Sequence, residues 1–80
     1  MEQLQKGMVV LVTAGKEKNS IFVVIEKLHP GRVLIADGRH RKLAKPKANS
    51  PRHLQGIGSL AAVPTRDRLV WESLTPFMGK

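Results

Sequence analysis

Two short apolar runs near the N-terminus define the pattern of the chain. Residues 8–13 and 21–25 are mostly aliphatic and β-branched, and a polar loop over residues 14–20 separates them. Their length and the Gly, Asn and Ser residues between them favour strands over buried helix segments. Polar and apolar positions alternate incompletely, which predicts strands that are covered on both faces or that bend strongly in a small barrel.

The loop between these runs combines conformational freedom with positive charge. Gly15 can adopt the positive φ that a tight strand connection often needs, and Asn19 is the non-glycine residue best able to do the same. Lys16 and Lys18 stand at the tip of this loop. Two cations beside several free backbone N–H groups predict a docking point for an anion.

Turn signals divide the middle of the chain into further short elements. The His-Pro-Gly sequence at residues 29–31 predicts a turn, and residues 32–36 predict a third strand. The Asp37-Gly38 pair is the strongest hairpin signal in the chain, typical of a type I′ turn. It predicts that a fourth strand follows over residues 39–43.

A basic loop and a closing strand complete the predicted sheet. Two prolines bias residues 45–51 toward extended geometry and exclude a helix interior. Residues 52–58 predict a fifth strand, with Leu54 as a core contact. Five short strands with tight turns predict a mainly β fold, a small SH3-like barrel over about residues 7–58.

The last twenty residues predict one short helix. Thr65 can cap its N-terminus, and Val70, Leu74 and Phe77 recur at helical spacing on one face. Pro76 and the glycine at 79 limit the helix to about residues 65–75. We expect its apolar face to pack on the barrel and cover an open end.

Charge is concentrated in one block. The chain of 80 residues, which predicts a single domain, carries a formal net charge of +8. Residues 38–66 contain seven Lys or Arg and no acid, whereas the rest of the chain is nearly balanced. This segregation favours a polyanionic partner, with nucleic acid ahead of an anionic membrane.

Several other classes of function are disfavoured. The chain has no cysteine, its three histidines are far apart in the sequence, and its six acids form no dyad with a histidine. We therefore expect no catalysis, no metal site, no cofactor and no small-molecule substrate. The polar N-terminal segment and the shortness of the apolar runs predict a cytoplasmic protein without a membrane span, and we expect a monomer.

Two parts of the sequence resemble a known family. Gly7, the valines at 9–10, residues 13–16 and residues 18–19 resemble a KOW motif, with Asn19 at the place usually held by a second glycine. Residues 33–39, 41–43, 45–47 and 52–55 resemble the region after that motif in one ribosomal protein family. This is the fourteenth large-subunit ribosomal protein of the archaeal and eukaryotic type, together with its stand-alone bacterial KOW-domain relatives. The resemblance covers about residues 7–55, and it implies an SH3-like barrel and contact with structured RNA.

These observations predict a binding surface and not an active site. The predicted RNA-binding residues are Lys16, Lys18, Arg39, Arg41, Lys42, Lys45, Lys47, Arg52 and His53. They would hold backbone phosphates of structured RNA, most plausibly ribosomal or ribosome-associated RNA. Aromatic residues are scarce, which disfavours a reader of single strands; Trp71 is the one candidate for base stacking, although a packing role predominates.

A second class of function stays open. SH3-like barrels also bind proteins, so the chain is alternatively a protein-interaction module of the transcription or translation machinery. That alternative predicts an exposed apolar groove, to which the aliphatic residues 60–63 could contribute if the helix leaves them uncovered.

Overall fold

Five antiparallel strands form one sheet in the computed structural model, which describes residues 4–28 and 31–78. The strands are β1 (Met8–Val12), β2 (Ile21–Leu28), β3 (Arg32–Ala36), β4 (Lys47–Asn49) and β5 (Leu54–Ser59). Their order is β4-β3-β2-β1-β5, so β4 and β5 are the two edges of an open sheet. The predicted mainly β fold is confirmed, as are the first three strands to within a few residues.

Both faces of the central strands are buried, as the incomplete alternation predicted. Val10 and Val12 point to one side of β1 and belong to an inner cluster with residues of β2, β3 and β5. Val9 and Leu11 point to the other side and belong to a second cluster beneath the helix. Side chains of successive strand residues face opposite sides of a sheet, so one apolar run supplies both clusters.

The inner cluster is buried on the face of the sheet that the helix does not cover. Phe22 and Ile35 in this cluster are 1% and 0% exposed, although the helix covers the other face. Register shifts lie between Val9 and Val10 against β5, and between Val24 and Glu26 against β3. Such bulges bend a strand and increase its twist, which lets the sheet fold over its own apolar face.

One helix, α1 (Asp67–Met78), packs on the outer face of the sheet. Val70 and Leu74 are fully buried and Phe77 is half-buried, so the predicted apolar stripe is confirmed. A methyl group on Gly58 would lie 2.5 Å from Cε1 of Phe77, so the absence of a side chain there makes room for the ring.

The ends of α1 differ from the prediction. The Arg66 carbonyl accepts a helical hydrogen bond from the Val70 N–H, which puts Arg66 at the N-cap and not Thr65. Pro76 lies inside the helix and cannot donate to the Glu72 carbonyl four residues earlier. The Thr75 hydroxyl donates to that carbonyl at 2.9 Å, which satisfies it and lets the last turn form.

The predicted fourth strand over residues 39–43 is wrong. Residues 39–43 form a loop instead. The fourth strand, β4, begins at Lys47, inside the segment that was predicted to be a basic loop. Similarly, Pro51–His53 form a 3₁₀ turn, so β5 begins at Leu54 and not at residue 52.

Within the described residues, no helix has the length and apolar character needed to cross a bilayer. His29, Pro30 and Gly79, used in the predicted turn and helix end, lie outside those residues.

Candidate nucleic-acid interface

The topology brings three basic segments to one end of the sheet. Because neighbouring strands are antiparallel, the last residues of β1 and β3 lie beside the first residues of β2, β4 and β5. The connections at this end are residues 13–20, residues 37–46 and the 3₁₀ turn at residues 51–53. Together with Lys47 we call them the loop-end surface. They carry eight Lys or Arg and two acids, a formal net charge of +6.

The first connection has the backbone geometry that the sequence predicts. Gly15 has φ +91° and Asn19 has φ +75°, and both Lys16 and Lys18 are exposed. The loop also keeps several of its backbone N–H groups free, since those of residues 14–17 form no hydrogen bond within the described part of the chain. The N–H groups of Lys18, Asn19 and Ser20 donate to carbonyl oxygens within or beside the loop. An anion at this tip could therefore meet both the lysine side chains and the N–H groups of residues 14–17.

Two buried or half-buried carboxylates shape the second connection. Asp37 is 3% exposed, and its Oδ1 accepts hydrogen bonds from the backbone N–H groups of Arg39 and Arg41, at 2.9 and 2.8 Å. Asp67, at the start of α1, accepts the N–H of Leu43 at 2.7 Å. These bonds turn the chain away from strand geometry and fix the loop on the first turn of the helix.

Glu17 joins the first two connections. Its carboxylate accepts a hydrogen bond from Arg41 Nε at 3.1 Å and from Lys47 Nζ at 2.6 Å. Burial alone would raise the pKa of Glu17, but the hydrogen bonds and positive charges of these two residues outweigh burial and lower that pKa. Arg41 and Lys47 are thus partly neutralised, whereas the other cations of the surface form no ion pair within the described residues.

We predict that Glu17→Gln lowers the free energy of unfolding at neutral pH by about 1 kcal/mol, because the two cations are partly exposed and screened. The folded-state pKa is depressed, so this stabilisation is present above the unfolded glutamate pKa of about 4.3 and is lost as pH falls through the folded value. Urea unfolding of both proteins from neutral to acid pH measures the difference. The exposed residue Glu26, changed to Gln, is the matched control; an equal loss there would contradict the assignment.

The 3₁₀ turn lies against the first connection. The backbone N–H of Thr13 donates to the carbonyl of His53 at 2.8 Å, directly before β5 pairs with β1. Arg52 and His53 are both exposed. The two cationic segments at residues 13–20 and 51–53 therefore share one rim of the surface.

A cleft of about 350 Å³ opens in the second connection, and its lining is almost entirely basic. Its residues are Arg39, His40, Arg41, Lys42, Ala44 and Lys45, which we call the cationic cleft. Arg39, Lys42 and Lys45 are exposed and form no ion pair within the described part of the chain. Guanidinium and ammonium groups converging on one concavity favour a phosphate as its ligand.

Trp71 supports this cleft from the helix. The Arg39 guanidinium carbon lies 5.0 Å from the centre of the indole ring, a cation–π contact. The His40 ring meets the same indole edge-on, with 6.3 Å between centroids. Trp71 is half-buried, so it both packs against the loop and keeps part of its ring accessible.

The structure brings the predicted residues together unequally. Lys42 and Lys45 line the cleft with Arg39 and Arg41, whereas Lys16 and Lys18 lie on the adjoining loop. Lys47 is on β4 and reaches the group through Glu17. Arg52 and His53 lie on the far rim, next to Thr13.

Sequence reasoning missed the residues that position these cations. In the sequence, Glu17 is a single acid in a basic loop, and Asp37 predicts only a hairpin turn. The one usable signal was that each acid stands beside or within a basic segment.

The described residues contain no group of three or more His, Asp or Glu side chains able to hold a metal ion.

The aliphatic segment at residues 60–63 is only partly exposed. A protein-interaction module would need this segment to contribute to an exposed apolar groove. Leu60 packs against the cluster beneath the helix and Val63 is half-buried, while the two alanines between them are exposed.

The chain was also compared with known proteins. No protein-family model matches it, and no curated protein matches it either.

Proposed function

We propose that the loop-end surface binds structured RNA through its backbone phosphates, without catalysing a reaction. The observation that carries this proposal is the cationic cleft, in which three exposed cations converge beside two more on the neighbouring loop. Short, hydrogen-bonded loops hold these groups in place, which reduces the entropy lost on binding.

Ribosomal or ribosome-associated RNA is the target that the resemblance to KOW-domain proteins supports. The same resemblance supports a distorted SH3-like barrel of the KOW type as the fold. In favour of that fold, β1 to β4 form a meander, β5 returns beside β1, and one inner cluster is buried on the face of the sheet that the helix does not cover. On this proposal the protein acts as a monomer in the cytoplasm and positions or stabilises RNA.

The affinity of the protein for a folded RNA hairpin should fall steeply with salt. If about four to six phosphates are contacted, log K against log[KCl] has a slope of roughly −3 to −5, because bound counterions are released. Fluorescence anisotropy of an end-labelled hairpin over a range of KCl concentrations measures this slope.

An affinity for the hairpin that does not change with salt would contradict phosphate binding. Absence of binding at low salt would instead favour the alternative, a protein-interaction module of the transcription or translation machinery. The exposed apolar residues that could serve such a module, Leu28, Ile57 and Leu69, lie on three different elements.

A further inference from the structure

A second cavity, of about 430 Å³, lies between the sheet and α1, next to the cationic cleft. Its walls include Leu11 and Ile57 from the sheet and Phe77 and Met78 from the end of the helix. Trp71 and His40 stand between this cavity and the cleft, since His40 lines both and its ring touches the indole. The cavity is within the size range of small-molecule sites.

The lining has the chemistry of a site for a planar heteroaromatic group. Apolar and aromatic walls suit the flat faces of such a group, and Trp71 offers part of an indole ring for stacking. Asn19 and Ser20 at the rim supply an amide and a hydroxyl, which can each donate and accept hydrogen bonds. Those are the groups that read the polar edge of a nucleobase.

Charge determines which planar group would enter. The cavity adjoins the three unpaired cations of the cleft, Arg39, Lys42 and Lys45. Its own lining holds one carboxylate, Asp37, whose Oδ1 is already bonded to the backbone N–H groups of Arg39 and Arg41. A nucleobase in RNA always has phosphates on both sides, so a base in the cavity would place its own backbone on these cations. An uncharged aromatic side chain of a protein would leave them without partners.

We propose that this cavity receives one unpaired nucleobase of the bound RNA, stacked against Trp71. The inference rests on the proposed function and adds to it: the target is a folded RNA with an unpaired, extruded base in a loop or bulge. The cationic cleft holds the adjoining phosphates, and the cavity requires a base.

The test uses two RNA hairpins of equal length, one with an unpaired five-nucleotide loop and one with the same loop made abasic. Both carry the same phosphates. We expect the intact hairpin to bind about fivefold more tightly or better, the lower end of what stacking on an aromatic side chain contributes. Trp71 is the only tryptophan of the chain, and it touches both the cavity and Arg39 of the cleft. Both hairpins should therefore change its emission, and the intact loop should quench it more strongly than the abasic loop.

A matched pair of variants locates the effect. Ile57→Ala shortens a wall of the cavity and should reduce the preference for the intact loop, whereas Leu69→Ala, outside the lining, should preserve it. Both side chains are exposed, at 37% and 46%, so neither change should unfold the protein. Equal affinities and equal Trp71 emission with the two hairpins would overturn the inference and leave phosphate binding intact. Failure of both hairpins to bind would overturn the proposed function, and this inference with it.

Discussion

Replacing Gly38 with alanine should lower the free energy of unfolding by about 3 kcal/mol, from backbone strain and overpacking together. Gly38 has φ +80°, and its added Cβ would collide with the backbone oxygen of Asp67. The same Cβ would also lie 2.9 Å from the Asp67 carbonyl carbon and 3.1 Å from the backbone nitrogen of Trp71. These are backbone atoms of α1 and cannot rotate away, so the basic loop must separate from the helix.

Thermal unfolding followed by circular dichroism measures this loss, and for an 80-residue domain we expect Tm to fall by roughly 12–24 °C. Gly31→Ala is the matched control. Gly31 also has positive φ, +69°, but nothing lies within 4 Å of its added Cβ, so it reports strain alone, about 1 kcal/mol. Equal losses at Gly38 and Gly31 would contradict close packing of the loop on α1.

The triple change of Arg39, Lys42 and Lys45 to Gln should weaken binding of a folded RNA hairpin by about 100-fold, from three lost charge-assisted contacts of roughly 1 kcal/mol each. These cations line the cleft and form no ion pair within the described residues, so their loss removes RNA contacts without leaving an acid unpaired. The salt slope should become less steep by about two to three units. Anisotropy titrations at several KCl concentrations give both quantities.

Three other exposed cations provide the matched control for this variant. Lys6, Lys27 and Arg32 lie at the opposite end of the sheet, before β1, near the end of β2 and at the start of β3. Changing them to Gln removes the same total charge but leaves the cleft intact. If both triple variants lost affinity equally, general attraction by net charge would explain binding, and the cleft would have no special role.

Most of the sheet could be predicted from the sequence because its information is local. The β-branched runs that form β1 and β2, and the short run of β3, are read correctly from composition and turn residues alone. The incomplete alternation of β1 was informative as well, since Val9 and Val10 are both 0% exposed on opposite faces. The helix was found for the same reason, through Val70 and Leu74.

The fourth strand could not be predicted because a side chain there overrides a local preference. An Asp-Gly pair favours a hairpin, but the Asp37 carboxylate instead accepts two backbone N–H bonds that a strand would need for pairing. A hydrogen bond from the Leu43 N–H to Asp67, 24 residues further along the chain, then fixes the loop. The Asp37 bonds are local and of a kind that Asp commonly forms in turns, whereas the bond between Leu43 and Asp67 has no signature in a single sequence.

The composition of the candidate surface was predictable, and its assembly was not. The basic block indicates a polyanionic partner, but only the strand order shows that residues 13–20 lie beside residues 37–46. The role of Glu17 was also unpredictable, since its partners Arg41 and Lys47 lie 24 and 30 positions further along the chain. Long-range contacts of this kind explain why Arg41 and Lys47 differ from the other predicted cations.

The most direct test of RNA binding at the loop-end surface is a titration of ¹⁵N-labelled protein with a folded RNA hairpin, followed by amide chemical shifts. We expect changes in residues 13–20, 37–47 and 51–53, and none at Lys6, Lys27 or Arg32 at the opposite end. That pattern would support the loop-end surface as the site of RNA contact. Changes centred on the opposite end, or spectra that do not respond to RNA, would contradict the account.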